Sequence, residues 1–140
     1  MTTIPATPRS GSVPRSLGAV LLGLVSIFVL SLGIDEVLHV LHVYPPWGEP
    51  MRSPGLNLLA LGYRLPIAVF GSYLTARAAP RNPRRHAMIL GVLGLALSAL
   101  GAAAAMKADL GPLWYPILLA LSSVPCAWVG AALHERAAAR

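Results

Sequence analysis

Residues 16–34 read SLGAVLLGLVSIFVLSLGI, nineteen positions without a charge or a proline. A helix of about 20 apolar residues crosses the hydrocarbon of a bilayer, and this run has that length and character. The next fourteen residues, DEVLHVLHVYPPWG (35–48), extend the helical pattern to about residue 43 before Tyr44-Pro45-Pro46 stops it. Three more runs follow. Ser53 to Ala76 is apolar except for Arg64, Ala87 to Met106 is uncharged, and Leu110 to Leu133 is uncharged with Pro116 and Pro125 inside it. The chain therefore reads as all-α, an integral membrane four-helix bundle. Its spans lie at about 17–43, 57–79, 87–106 and 113–134, after a disordered tail at 1–15.

Composition agrees. Of 140 residues 56% are hydrophobic and 11% charged, against about 25% charged in an ordinary soluble domain. The chain is far too apolar for intrinsic disorder. One cysteine, Cys126, excludes an intramolecular disulfide framework and a Cys-rich metal cage.

Charge placement orients the spans. Arg9 and Arg15 precede the first, Arg77, Arg81, Arg84 and Arg85 separate the second from the third, and Arg136 and Arg140 follow the fourth. The other two loops carry only Arg52 and Lys107. Cytoplasmic loops hold the excess of Lys and Arg, so both termini are expected inside the plasma membrane. Tyr44, Trp47, Trp114 and Tyr115 then fall at the outer interface, where aromatic belts occur. The formal charge of +6 lies at span ends without a folded basic domain, which excludes a nucleic-acid partner. Arg77, Arg81, Arg84 and Arg85 are expected to contact anionic lipid head groups. Leu17 to Leu30 followed by Ser31-Leu32-Gly33 has the outline of a signal peptide, but apolar character continues past it and the span is expected to stay uncleaved.

Helices in lipid associate through close packing, which favours small residues at contacts. The second span carries Asn57, Ala60, Arg64, Ala68, Gly71 and Thr75 on one stripe. The third carries Ala87, Gly91, Gly94, Ser98, Gly101 and Ala105, and the fourth Pro116, Ala120, Ser123, Ala127, Gly130 and His134. Gly23, Ser26 and Gly33 form the small face expected on the first. The short connection Lys107 to Pro112 makes the last two spans an antiparallel hairpin. Pro66, Pro116 and Pro125 are candidate kinks.

An ionisable residue inside a span is a candidate functional group whose partner must be found. Arg64 lies 13 residues outward from Arg77, about 20 Å at helical rise, and Asp35 lies 19 residues outward from Ser16, about 28 Å. The difference of about 8 Å is close to the reach of a snorkelling arginine. Arg64 is expected to pair with Asp35 or Glu36 in an outer-side cluster that includes His39. Asp35, His39 and His42, at i, i+4 and i+7, share a helix face and are ligand types for Zn²⁺ or another divalent ion. The competing reading is polar capping of a long helix. His86 and His134, at inner span ends among arginines, are poorly placed for bis-histidine haem ligation. Cys126 reads as a packing residue. No Ser-His-Asp order, phosphate loop or catalytic carboxylate pair is present, and no cofactor is expected.

These residues carry a resemblance. Asp35 and His39 leading into Tyr44-Pro45-Pro46-Trp47-Gly48, then Tyr63-Arg64, then Ala76-Arg77-Ala78-Ala79-Pro80, make the chain similar to a family of small four-span bacterial membrane proteins. The resemblance covers roughly residues 17–133. It implies an integral bundle of the bacterial plasma membrane and lends nothing catalytic. A ten-to-one excess of Arg over Lys and abundant Ala fit a GC-rich bacterial genome. Small multidrug exporters, also four-span, differ in carrying their acidic residue deep in the first span.

The leading expectation is a non-enzymatic bundle acting through a membrane-protein partner or self-association. The alternative is a small transporter or channel that uses Asp35, Glu36, His39 and Arg64.

Overall fold

Four helices account for most of residues 12–140, the part of the chain that the computed structural model describes. They are α1 (Ser12–Val40), α2 (Pro54–Ala78), α3 (Pro83–Lys107) and α4 (Trp114–Ala138), and no strand occurs among the described residues. Each is long and apolar enough to cross a membrane.

Local chemistry sets the helix ends. Ser53 caps α2, its Oγ accepting from the Leu56 N–H, and Pro54 occupies the first turn, where its missing N–H costs nothing. Pro83 starts α3 in the same way after Asn82 in a left-handed conformation. Pro116 falls in the first turn of α4, so only Pro66 and Pro125 interrupt helix interiors. Residues 12–15, expected in the disordered tail, are helical, with Pro14 tolerated in the first turn of α1. The rest of that tail, residues 1–11, lies outside the described residues.

The first span ends earlier than expected, at Val40. The Val43 N–H donates to the Leu38 carbonyl (2.9 Å) and the His42 N–H to the His39 carbonyl (3.0 Å), with His42 at φ 58°. That is a Schellman stop, in which a left-handed residue lets the chain turn back and satisfy the last carbonyls. The proline pair comes after the helix has already closed.

The arrangement is a diamond. α2 and α3 meet across its short diagonal and each packs on α1 and α4, while α1 and α4 stand at the far corners without a close backbone approach among the described residues. Glycines mark the close approaches. A Cβ on Gly71 would meet the Gly23 carbonyl of α1 and the Ile27 side chain, and one on Gly91 would stand 2.6 Å from Ala127 Cβ. A Cβ on Gly130 would stand 2.6 Å from the Val69 carbonyl of α2. Near the α2–α3 loop, Ala76, Ala87 and Ala131 are fully buried against one another.

The small stripes of α2 and α4 face inward: Asn57, Ala60, Gly71 and Thr75 are buried, as are Ala120, Ala127 and Gly130. On α3 the stripe is buried at Ala87 and Gly91 but Gly101 is exposed. The face expected for α1 requires correction. Gly33 is exposed with open space beside it, and the inward face runs Ala19, Gly23, Ile27, Ser31, Asp35 in steps of four. Elsewhere the surface is aliphatic, with Val29 and Leu121 each 63% exposed. Such a contiguous apolar exterior suits lipid and would drive association in water.

Loop 1, joining α1 to α2 (residues 41–53), and loop 3, joining α3 to α4 (108–113), are knitted together. The Met51 N–H donates to the Leu110 carbonyl (2.8 Å), Arg52 pairs with Asp109 (2.8 Å), and Asn57 Nδ2 donates to the Met51 (2.9 Å) and Ser53 (2.8 Å) carbonyls. Gly111 is required there, because a Cβ would stand 2.7 Å from the Met51 carbonyl oxygen.

Candidate functional site

The buried end of α1 brings a carboxylate to the arginine of α2. Asp35 is 4% exposed, and its Oδ2 accepts from Arg64 while its Oδ1 accepts from the Tyr63 hydroxyl. Both carboxylate oxygens are thus engaged by donors from a single turn of α2. A charge-assisted contact of this kind is stronger than a neutral one, and it offsets part of the cost of keeping two charges away from water.

The network continues toward loop 1. The Tyr44 hydroxyl lies 3.2 Å from that of Tyr63. Burial pushes the Tyr44 hydroxyl above its ordinary pKa, so it stays protonated at neutral pH. His39 Nδ1 is 2.7 Å from the Asp35 carbonyl oxygen. A carbonyl only accepts, so Nδ1 carries the proton. The His39 ring stacks on Trp47 at 4.0 Å and meets Tyr44 edge-on at 5.4 Å. Trp47 Nε1 donates to Glu36 Oε2 at 3.2 Å. The turn made by the Schellman stop therefore folds Tyr44-Pro45-Pro46-Trp47 back over the last turn of α1 and clamps the imidazole between aromatic rings.

Of the residues singled out from the sequence, Asp35 and Arg64 are in direct contact and His39 is held beside them. Glu36 belongs to the rim, paired with Trp47 and not with Arg64. The metal set Asp35, His39 and His42 does not assemble. His42 leaves the helix at its left-handed turn and is exposed, Asp35 is committed to Arg64 and Tyr63, and no trio of His, Cys, Asp or Glu converges among the described residues. His86 and His134 do not form a pair either. His86 Nδ1 is 3.1 Å from the Asn82 carbonyl, and His134 meets the Tyr73 ring edge-on. Arg77, Arg81 and Arg85 are exposed at the opposite end of the bundle, whereas Arg84 lies 3.7 Å from Glu135 and over the Trp128 ring. Cys126 is buried in α4.

Arg64 also borders open space. A cavity of about 180 Å³ between the four helices has Asp35 and Arg64 at one end, with Ser31, Ser72, Ser98, Ser122 and Ser123 along its wall. A second, of about 430 Å³, runs from Arg64 toward loop 3 past Tyr115 and Asn57. Phe28, Arg64, Leu97, Ser98 and Leu119 line both, so the arginine stands at their junction. Its Nε–H is buried without an acceptor. Past Ser72 the first cavity ends against tightly packed Leu90 and Thr75.

Sequence reasoning missed Tyr63, Tyr44 and Ser31 as members of this site. Ser31 stands one turn before Asp35 on the same face, a signal that the choice of Gly33 as the packing residue hid. Fold and site together define an all-helical bundle of four membrane-length helices with an ion pair near one end, its carboxylate buried and its arginine partly so. No protein-family model, curated protein or solved structure matches the chain.

Proposed function

We propose that the chain is a bacterial plasma-membrane protein with four spans and both termini inside, kin to the small four-span family it resembles, and that it is a small transporter or channel centred on Arg64. The activity is non-enzymatic. The bilayer is the solvent of the helices, and the α2–α3 loop arginines contact anionic head groups. The observation that carries this reading is the position of Arg64: paired with Asp35, it stands between a cavity reaching the loop 1–loop 3 end and one reaching into the bundle. An ion pair serving packing alone needs no such space, since cavities in a bundle forfeit contact energy.

Substituted-cysteine accessibility tests it. In a Cys126→Ala background, Ser98→Cys is expected to react with a membrane-impermeant thiol reagent added from the loop 1 side, and Leu90→Cys to stay protected. Equal protection of both contradicts the transporter reading. The second reading, a bundle completed by another membrane protein or a second copy, is favoured by the loose packing of α1 on α3. It gains if Ser98→Cys is protected in a preparation that runs as a dimer.

A further inference from the structure

The two cavities at Arg64 have a chemistry that narrows their occupant. Among the described residues, Asp35 and Arg64 are the only charged ones on either wall, and they neutralise each other. A bound anion would leave a net negative charge in a low-dielectric interior. A bound cation would find both Asp35 oxygens already accepting, from Arg64 and Tyr63. Burying an uncompensated charge is costly, so a neutral occupant fits.

The polar groups on the wall say which neutral chemistry. Ser72, Ser122 and Ser123 donate to carbonyls one turn back in their own helices, at 2.8, 2.8 and 3.2 Å. The Arg64 guanidinium is different: it borders both cavities, and among the described residues it donates only to Asp35. A buried donor left unmade costs about 1–3 kcal/mol, which a ligand oxygen would recover. The rest of the wall is mostly Leu, Ile, Phe, Gly and Ala.

Access follows from the diamond packing. α1 and α3 are the most loosely packed neighbours on its perimeter, and both line the first cavity. Phe28 and Leu32 of α1 line it and are also half exposed on the outside of the bundle. Leu97 of α3 lines it and is likewise exposed, so the cleft between α1 and α3 faces the hydrocarbon. The inner cavity exceeds the roughly 150 Å³ that accommodates benzene in an engineered core, and the outer one falls in the range of about 300–1,000 Å³ typical of ligand pockets.

We propose that this site binds a neutral amphiphile, an apolar chain ending in an uncharged carbonyl that accepts from the Arg64 guanidinium, and that the ligand enters from the lipid between α1 and α3. This rests on reading the cavities as a binding site and adds the class of ligand.

The test uses the full chain in nanodiscs of a saturated phosphatidylcholine, with a diazirine-bearing methyl ester of a medium-chain fatty acid and the matching free acid at about pH 8, where the acid is ionised. The ester is expected to label residues 24–32 and 119–123 saturably, to be displaced by unlabelled ester, and to exceed the acid by about tenfold. Ser98→Leu, which fills the junction, should abolish labelling while the protein stays monodisperse. Arg64→Lys, which keeps a cation for Asp35 but lacks the guanidinium's further N–H donors, should lower it several-fold. Labelling by the acid equal to the ester overturns the neutral class. Non-saturable labelling over all lipid-facing helices, indifferent to Ser98→Leu, overturns the site. With Ser98→Cys reactive, failure of the ester sinks the ligand class alone. With Ser98→Cys protected, it sinks the transporter reading too.

Discussion

Asp35→Asn is expected to destabilise the bundle by about 3–5 kcal/mol, because it leaves the Arg64 guanidinium without a counter-ion among packed helices. Arg64→Gln is expected to cost a similar amount by stranding the carboxylate with Tyr63 alone. The double variant should recover most of the loss, since it removes both charges and leaves two amides able to hydrogen-bond. Unfolding followed by helical circular dichroism in mixed micelles of increasing dodecyl sulfate reads the cycle. An interaction energy well above about 1 kcal/mol is the signature of direct coupling. Additive losses would mean that the two groups do not depend on each other, and the site as described would fail.

The second large effect concerns backbone approach. At Gly130 an added Cβ would stand 2.6 Å from the Val69 carbonyl oxygen, 2.7 Å from Ser72 Cβ and 2.8 Å from the Tyr73 N. Two of these are backbone atoms, which yield only if α2 and α4 separate. Gly130→Ala is expected to cost about 1–3 kcal/mol, and Gly130→Leu to prevent assembly. Gly33→Ala is the control. Nothing lies within 4 Å of that position, so the change should be neutral or slightly stabilising through helix propensity. The same micellar titration checks both. A Gly130→Ala protein as stable as the parent would refute the α2–α4 contact.

Much of this architecture is legible in the residues, and the reasons are physical. Helix number follows from the run length a bilayer demands, and the inward faces of α2 and α4 follow from small residues at regular spacing. Counting helical rise from the span ends brings Asp35 and Arg64 within side-chain reach, because rise per residue is nearly constant. The face of α1 was misjudged because glycine was used as the marker of packing. Gly33 is exposed, and Ser31 and Asp35 carry the contact. A polar side chain with a partner packs as well as a glycine, and its partner lies on another helix, where a local pattern does not look.

Loop geometry is the other boundary. The Schellman stop places His42 in a left-handed conformation with no glycine or asparagine to announce it. That single turn dissolves the metal set Asp35–His39–His42 and brings Trp47 onto His39. Pairing of Met51 with Leu110 and of Arg52 with Asp109 spans more than fifty residues of sequence. Both features depend on the two loops meeting over the same end of the bundle, which no window of sequence contains.

The central claim is that the loop 1 end of the bundle, with its ion pair, faces outward across a membrane from both chain termini. Single cysteines at Glu49 and Ala139, in the Cys126→Ala background, test it in intact cells with an impermeant maleimide. The account predicts that Glu49→Cys is labelled at once and Ala139→Cys only after the cells are permeabilised. Labelling of Ala139→Cys in intact cells, or protection of Glu49→Cys there, would contradict it.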